Sequence, residues 1–249
     1  IWTEWLATDL ELTITPAIRG GVTLTTPQLA VFPAVVGSGN SWAQGGARVD
    51  SPAVSLAPGV QLAALSIRQQ VDQFLATPEA SAASSLFLLN GGGNDIGFLG
   101  QAVLAGAISP DQARAGVVAA AQLMAAQAIR LETRGTVVLL NQADGAQAPV
   151  ATSPGIRALY QDLTPRFNAA LGAALAGSSV LMVDQFAFSR RLVAEPAAFG
   201  LTNVTEPACK LDALPLRSAV VCTDSTLVAP GAAQTYLWAD SLHATPAYH

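Results

Sequence analysis

This sequence predicts an α/β fold with a mainly parallel sheet and helices on both faces, a three-layer α/β/α sandwich. Three observations carry that expectation. Residues 86–90, 136–140 and 179–183 are short apolar runs with the length and closure of buried strands. Stretches with helical spacing alternate with them. The first run ends in three glycines followed by Asn94 and Asp95. A polar pair just past the end of a buried strand sits where parallel sheets bind ligands.

Taken in order, residues 1–10 hold two tryptophans and read as a short helix. Residues 13–36 are rich in Thr, Pro, Gly and Val and read as loop with short extended pieces. Residues 39–48 read as a short strand entering the Gly45-Gly46 pair, and residues 50–59 as loop with two prolines. Leu62, Leu65, Ile67, Val71, Phe74 and Leu75 predict a helix over 62–75 that Pro78 helps to stop. Ser109-Pro-Asp-Gln is a polar cap with Pro at the first helical position. The helix it starts should run through the alanine-rich stretch to about Arg134 and end at Gly135. Residues 141–155 read as a polar loop at the carboxyl end of the second strand. Helices follow over 158–175, closed by Gly177, and over 185–194. Residues 200–234 show no clear period, and 236–238 read as a last short strand. No repeat, linker or second domain is visible, so residues 1–249 are expected to form a single domain.

Composition narrows the function. Half of the residues are hydrophobic (51%), yet no stretch is apolar for the length of a membrane span. The formal net charge is −5 and Lys210 is the lone lysine, which argues against a nucleic-acid surface and a basic membrane-binding helix. The chain opens on Ile1 without a visible signal peptide, which leads to the expectation of a processed or incomplete product.

Cys209 and Cys222 lie in the segment without a clear period. A disulfide between them would stabilise the fold by about 3 kcal/mol in the chain-entropy model. It would also imply a secreted or periplasmic location. Two free thiols in a cytosolic protein are the alternative. A zinc site of these cysteines with His243 and His249 is a third, although the Cys spacing is too wide for a zinc knuckle.

The glycine run alone is most simply a turn. It is no phosphate loop, because no Lys-Ser/Thr follows, and its spacing is wrong for a dinucleotide fingerprint. A second stretch, Trp238-Ala-Asp-Ser-Leu-His-Ala-Thr245, adds chemistry. Asp240 and His243 are three residues apart, a spacing that puts both on one side of a turn. A carboxylate on one imidazole nitrogen fixes the tautomer and stabilises the imidazolium, leaving the other nitrogen as a general base. The plain alternative is a surface histidine beside a capping aspartate. With His249 the one other histidine, and terminal, His243 is the candidate base.

Three stretches together resemble the SGNH (GDSL) hydrolases. Leu89-Asn-Gly-Gly-Gly-Asn94-Asp95 is similar to their third block, Asp240-Ser-Leu-His243 to their fifth, and Asn40-Ser-Trp-Ala-Gln-Gly45-Gly46 to their second. Any one motif is weak, but all three occur in the family's order. The Trp-Ala-x-Gly-Gly-x-Arg run, Arg166-Phe-Asn168, Pro196-Ala-Ala-Phe-Gly-Leu201 and the late cysteine pair further resemble the esterase passengers of bacterial autotransporters. The resemblance implies a flavodoxin-like SGNH-hydrolase fold. It implies that Asn94 donates its side-chain amide to an oxyanion and Gly46 its backbone N–H, with Gly45 as the fallback. It implies that His243 is the base and Asp240 its orienter. His243-Ala244-Thr245 stands where the family has His-Pro-Thr.

The family's first block, Gly-Asp-Ser-Leu with the nucleophilic serine, is missing. The resemblance places it before Ile1, and a closing helix after Pro246. Ser241 lies between base and orienter, and Ser51 and Ser225 lie in loops, so none is read as the nucleophile. Losing an internal first strand should bare apolar edges, at roughly 1.5–3 kcal/mol per large side chain.

Two functions follow. One is a serine ester hydrolase acting through an acyl-enzyme on acyl esters or lipids, acetylated glycans included, without metal or organic cofactor. The other is a non-catalytic passenger or binding module of the same fold. The resemblance implies display on the outer surface of a bacterium, secretion or a periplasmic site. An outer-membrane barrel in the precursor rests on the resemblance alone.

Overall fold

Ser109 starts the longest helix as its local sequence predicts. Its hydroxyl accepts from the Gln112 N–H at 3.2 Å, Gln112 Oε1 accepts from the Ser109 N–H at 2.7 Å, and Pro110 follows. The computed structural model describes residues 2–25, 30–53, 60–81, 85–214 and 217–248. In chain order the helices are α1 (Trp2–Asp9), α2 (Ile67–Leu75), α3 (Gly93–Leu104), α4 (Pro110–Glu132), α5 (Pro154–Ala174), α6 (Gln185–Ala194) and α7 (Ala232–Thr235). The strands are β1 (Ile18–Arg19), β2 (Val22–Leu24), β3 (Ala30–Phe32), β4 (Val35–Val36), β5 (Val60–Leu62), β6 (Ser85–Asn90), β7 (Gly135–Leu140), β8 (Leu181–Val183), β9 (Asn203–Pro207) and β10 (Tyr236–Trp238).

β6, β7 and β8 form a parallel sheet in that order, with Leu89, Leu139 and Met182 level with one another. Val137 and Leu139 are buried in one core with Val117, Ala121 and Met124 of α4 and Leu163, Phe167 and Leu171 of α5. The protein is therefore a mixed α/β fold with a small parallel sheet packed against helices. Small antiparallel sheets join β1 to β4, and β2 to β3 and β5. A second core gathers Leu192, Leu201, Leu237 and Trp238 under α6, beside the parallel pair β9–β10. β6 and β8 are the outer strands of the main sheet, and Leu86, Leu181, Met182 and Val183 are exposed on them.

The structure corrects several expectations. The helix predicted over 62–75 begins at Ile67, because Ser66 caps it and Val60–Leu62 pairs with β2; Leu62 and Leu65 mimic helical spacing. Residues 39–48 form no strand, and Ser41 makes only an isolated bridge to Pro16. α3 was not predicted, since Gly93, Gly97 and Gly100 mask its propensity. Residues 54–59 of the expected proline loop and His249 of the zinc alternative lie outside the described residues. Among the described residues no helix is long and apolar enough to cross a membrane.

Candidate active site

The carboxyl end of β6 turns sharply into α3 because of its glycines. Gly92 has φ +112°, and a Cβ there would run into the ring of Phe167. Cβ atoms at Gly91 and Gly93 would meet Ile67 and Gln142. Buried Gln142, just past β7, fastens the turn: its Nε2 donates to the Gly91 carbonyl at 2.8 Å. Asn168 of α5 holds Gln142 in turn. Its Oδ1 accepts from the Gln142 N–H, and its Nδ2 donates to the Gln142 carbonyl, both at 2.8 Å.

The first turn of α3 grips the loop that carries Gly46. Asn94 Nδ2 donates to the Ala47 carbonyl at 2.9 Å, and Asp95 Oδ2 accepts from the Val49 N–H at 3.0 Å. Arg48 Nε reaches Asp95 Oδ1 at 3.4 Å, and its guanidinium lies 4.1 Å from the centre of the Phe98 ring. Burial pushes the Asp95 carboxyl up, against the Val49 N–H and the Arg48 charge. Gly46 has φ +77° in this loop, so its backbone direction depends on glycine, whereas Gly45 does not have a positive φ.

Asp240 and His243 occupy a tight turn after β10. The Ala239 N–H donates to the His243 carbonyl at 2.7 Å and closes it. Thr245, also buried, donates its hydroxyl to the Tyr236 carbonyl and anchors the following residues to β10. His243 Nδ1 stands 2.8 Å from Asp240 Oδ2 and 3.0 Å from Oδ1. Oδ1 also accepts from the N–H groups of Leu242 (2.8 Å) and His243 (2.7 Å). The Asp240 side chain is 3% exposed and that of His243 61% exposed, so a buried carboxylate holds a solvent-facing imidazole. Burial alone would push the Asp240 carboxyl up. Hydrogen bonds from the His243 ring and the Ala219, His243 and Leu242 N–H groups outweigh it and hold the group well below the usual carboxylate range. The bond to Asp240 pushes the His243 imidazole above its ordinary value. The carboxylate assigns the ring proton to Nδ1, which leaves Nε2 as the basic nitrogen.

Cys209 and Cys222 are joined by a disulfide, as one reading of the sequence expects. Both thiols are thereby withdrawn from the zinc alternative, and no metal-binding cluster of His, Cys, Asp and Glu exists among the described residues. The loop that the disulfide closes brings the Ala219 N–H to Asp240 Oδ2 at 2.7 Å, with Ser218 Oγ at 3.5 Å.

A cavity of about 340 Å³ adjoins the pair. α3 lines it with Ile96, Gly97 and Gly100, and α5 with Leu159 and Leu163. Asp240 and His243 line the same cavity, together with Tyr160 and Arg217.

Of the residues singled out from sequence, the structure brings Asp240 and His243 into contact. It brings Asn94 and the Gly46 loop together through the Ala47 carbonyl. The second pair does not line the cavity; α3 joins the two, beginning beside Asn94 and lining the cavity with its next turns. Gln142, Asn168 and Ala219 escaped prediction as site-forming residues. A polar Asn141-Gln142 pair just past a buried strand was a usable signal for Gln142, whereas Ala219 acts through its backbone and leaves none. Compared with protein-family models and with curated proteins, the chain matches none.

Proposed function

We propose that this protein is a serine ester hydrolase of the SGNH/GDSL type. The observation that carries the reading is the exposed His243 ring, held by the buried Asp240 carboxylate at 2.8 Å on the wall of a largely apolar cavity. In this reading a serine hydroxyl attacks the ester carbonyl and passes its proton to His243 Nε2. Asp240 stabilises the imidazolium, and Asn94 and Gly46 donate to the tetrahedral oxyanion. The imidazolium protonates the departing alcohol, and water then releases the acid from the acyl-enzyme. No metal or organic cofactor enters the scheme.

The nucleophile is assigned to a segment preceding Ile1. Among the described residues no strand pairs with the side of β6 away from β7, which supports this: a parallel strand added there would end beside the Gly91–Asn94 turn, where a serine would face the donors. Such a strand and a closing helix would extend the observed sheet to the full three-layer SGNH sandwich. The apolar cavity favours acyl chains of esters or lipids. The disulfide fits a secreted, periplasmic or surface-displayed protein.

The test is turnover of p-nitrophenyl acetate and butyrate by the full-length protein and by His243→Ala. Hydrolysis that falls by roughly 10⁴–10⁶ in the variant is the expected result. Equal rates in both proteins would sink the reading.

A binding module of the same fold is the second reading, which the same assay separates from the first. It predicts acyl-ligand binding without release of p-nitrophenol.

A further inference from the structure

We infer that the Ala219 N–H, held by the Cys209–Cys222 disulfide, is a positioning group that sets how much of the Asp240 charge reaches His243. Its consequence for turnover rests on the hydrolase reading; its geometry does not. The Ala219 N–H lies 2.7 Å from Asp240 Oδ2, the oxygen that His243 Nδ1 meets at 2.8 Å. With the Ser218 hydroxyl at 3.5 Å, three donors therefore share one carboxylate oxygen, and among them only the imidazole changes its protonation near neutral pH. A backbone N–H neither titrates nor rotates away, so it draws on the carboxylate at every pH.

The disulfide explains why this donor stays in place. The Cys209 N–H donates to the Ala239 carbonyl at 3.1 Å, on the residue before Asp240. The Cys222 N–H donates to the Ala219 carbonyl at 3.0 Å, so the other sulfur is fastened to the turn that carries the donor. The S–S bond thus closes a ring that leaves the chain beside Asp240 and returns to its carboxylate. Ser218 Oγ accepts from the Val220 N–H at 3.4 Å and donates its own hydroxyl to Oδ2 at 3.5 Å, which stiffens the same turn.

A hydrogen bond to a charged acceptor is among the stronger ones in a protein, and each donor on Oδ2 lowers the charge left for the others. Ala219 accordingly holds His243 less basic than Asp240 alone would make it. Tyr160 and Arg217 are the other titratable side chains on the wall that His243 shares, and Arg217 is paired with Asp212.

The experiment is Ala219→Pro, which deletes the N–H. Ser218 is extended (φ −128°, ψ 144°), as the residue before a proline must be, and Ala219 opens a 3₁₀ turn where proline fits. The readout is the His243 ring titration by NMR in the full-length protein. His243→Gln identifies the resonance, and Ala219→Gly, which keeps the N–H, serves as control. The midpoint should rise by about half a pH unit in the proline variant. A midpoint that stays or falls overturns the inference, a fall being the sign of a merely slackened loop. If the protein hydrolyses esters, the acid limb of kcat/KM moves up with the midpoint; if it does not, the titration alone decides. Should the proline variant not fold, the Ala219 amide proton of the unsubstituted protein must follow the Asp240–His243 titration, and an amide that ignores it overturns the inference.

Discussion

Arg48 and Asp95 form a nearly buried ion pair across 47 residues of sequence, with Nε 3.4 Å from Oδ1. It binds the Gly46 loop to the first turn of α3, the two segments that carry the proposed oxyanion donors. Removing one partner strands the other's charge. Asp95→Ala is expected to cost about 3–5 kcal/mol in urea unfolding. A loss below 1 kcal/mol would show that Arg48 finds solvent and the pair is not structural.

Gly92 and Gly177 make a paired test of the β6 turn. Both have positive φ, but a Cβ at Gly92 meets Phe167 whereas one at Gly177 meets open space. Gly177→Ala should cost only about 1–2 kcal/mol, the backbone penalty. Gly92→Ala should cost at least twice that in the same denaturation experiment, or prevent folding. Equal losses would mean that the Phe167 ring moves aside.

The Asp240–His243 pair makes a signed pH prediction. The His243 pKa is raised above its ordinary 6.5. A base must be neutral, so the acid limb of kcat/KM should inflect above that value, and Asp240→Asn should bring it down. For stability, the raised His243 contributes fully below its unfolded pKa and loses its contribution as pH rises through the folded one. The depressed Asp240 contributes above its unfolded pKa and loses its contribution as pH falls through the folded one. These are two views of one interaction, so wild type minus Asp240→Asn should differ most between roughly pH 4 and 6.5. A difference that is flat from pH 3 to 9 would contradict the pairing.

Reducing Cys209–Cys222 should lower stability by roughly 3 kcal/mol, given the short loop it closes. Thermal melts with and without a dithiol reductant would show it, and unchanged melting would exclude a stabilising bond.

Asn94→Ala should cut kcat by about 10²–10³ with little change in KM. A change in KM alone would assign Asn94 to the Ala47 contact and not to the reacting oxygen.

What could be read from the sequence follows from how locally each feature is determined. Ser109 and Pro110 announce α4 because a cap depends on its next three residues. The strands β6 and β7 announce themselves because both are apolar and flanked by glycine. α3 hid behind its glycines, and Leu62 joined β5 because a distant partner, Val22, outbid its helical spacing. Within the site, Asp240 and His243 were legible since three residues separate them. The role of Asp95 was not, because Arg48 and Val49 meet it only after folding. Ala219 was invisible, for a backbone donor has no letter of its own.

The contact between Asn94 and the Ala47 carbonyl has a thermodynamic consequence. An amide with one proton already engaged is a stopped rotor, and the entropy of its free swivelling was surrendered when the chain folded. Charge gathering at its second proton would find a dipole already aimed, with no further disorder to give up. The benefit of Asn94 should then be almost wholly enthalpic, and an Arrhenius comparison with Asn94→Ala should converge as the temperature rises.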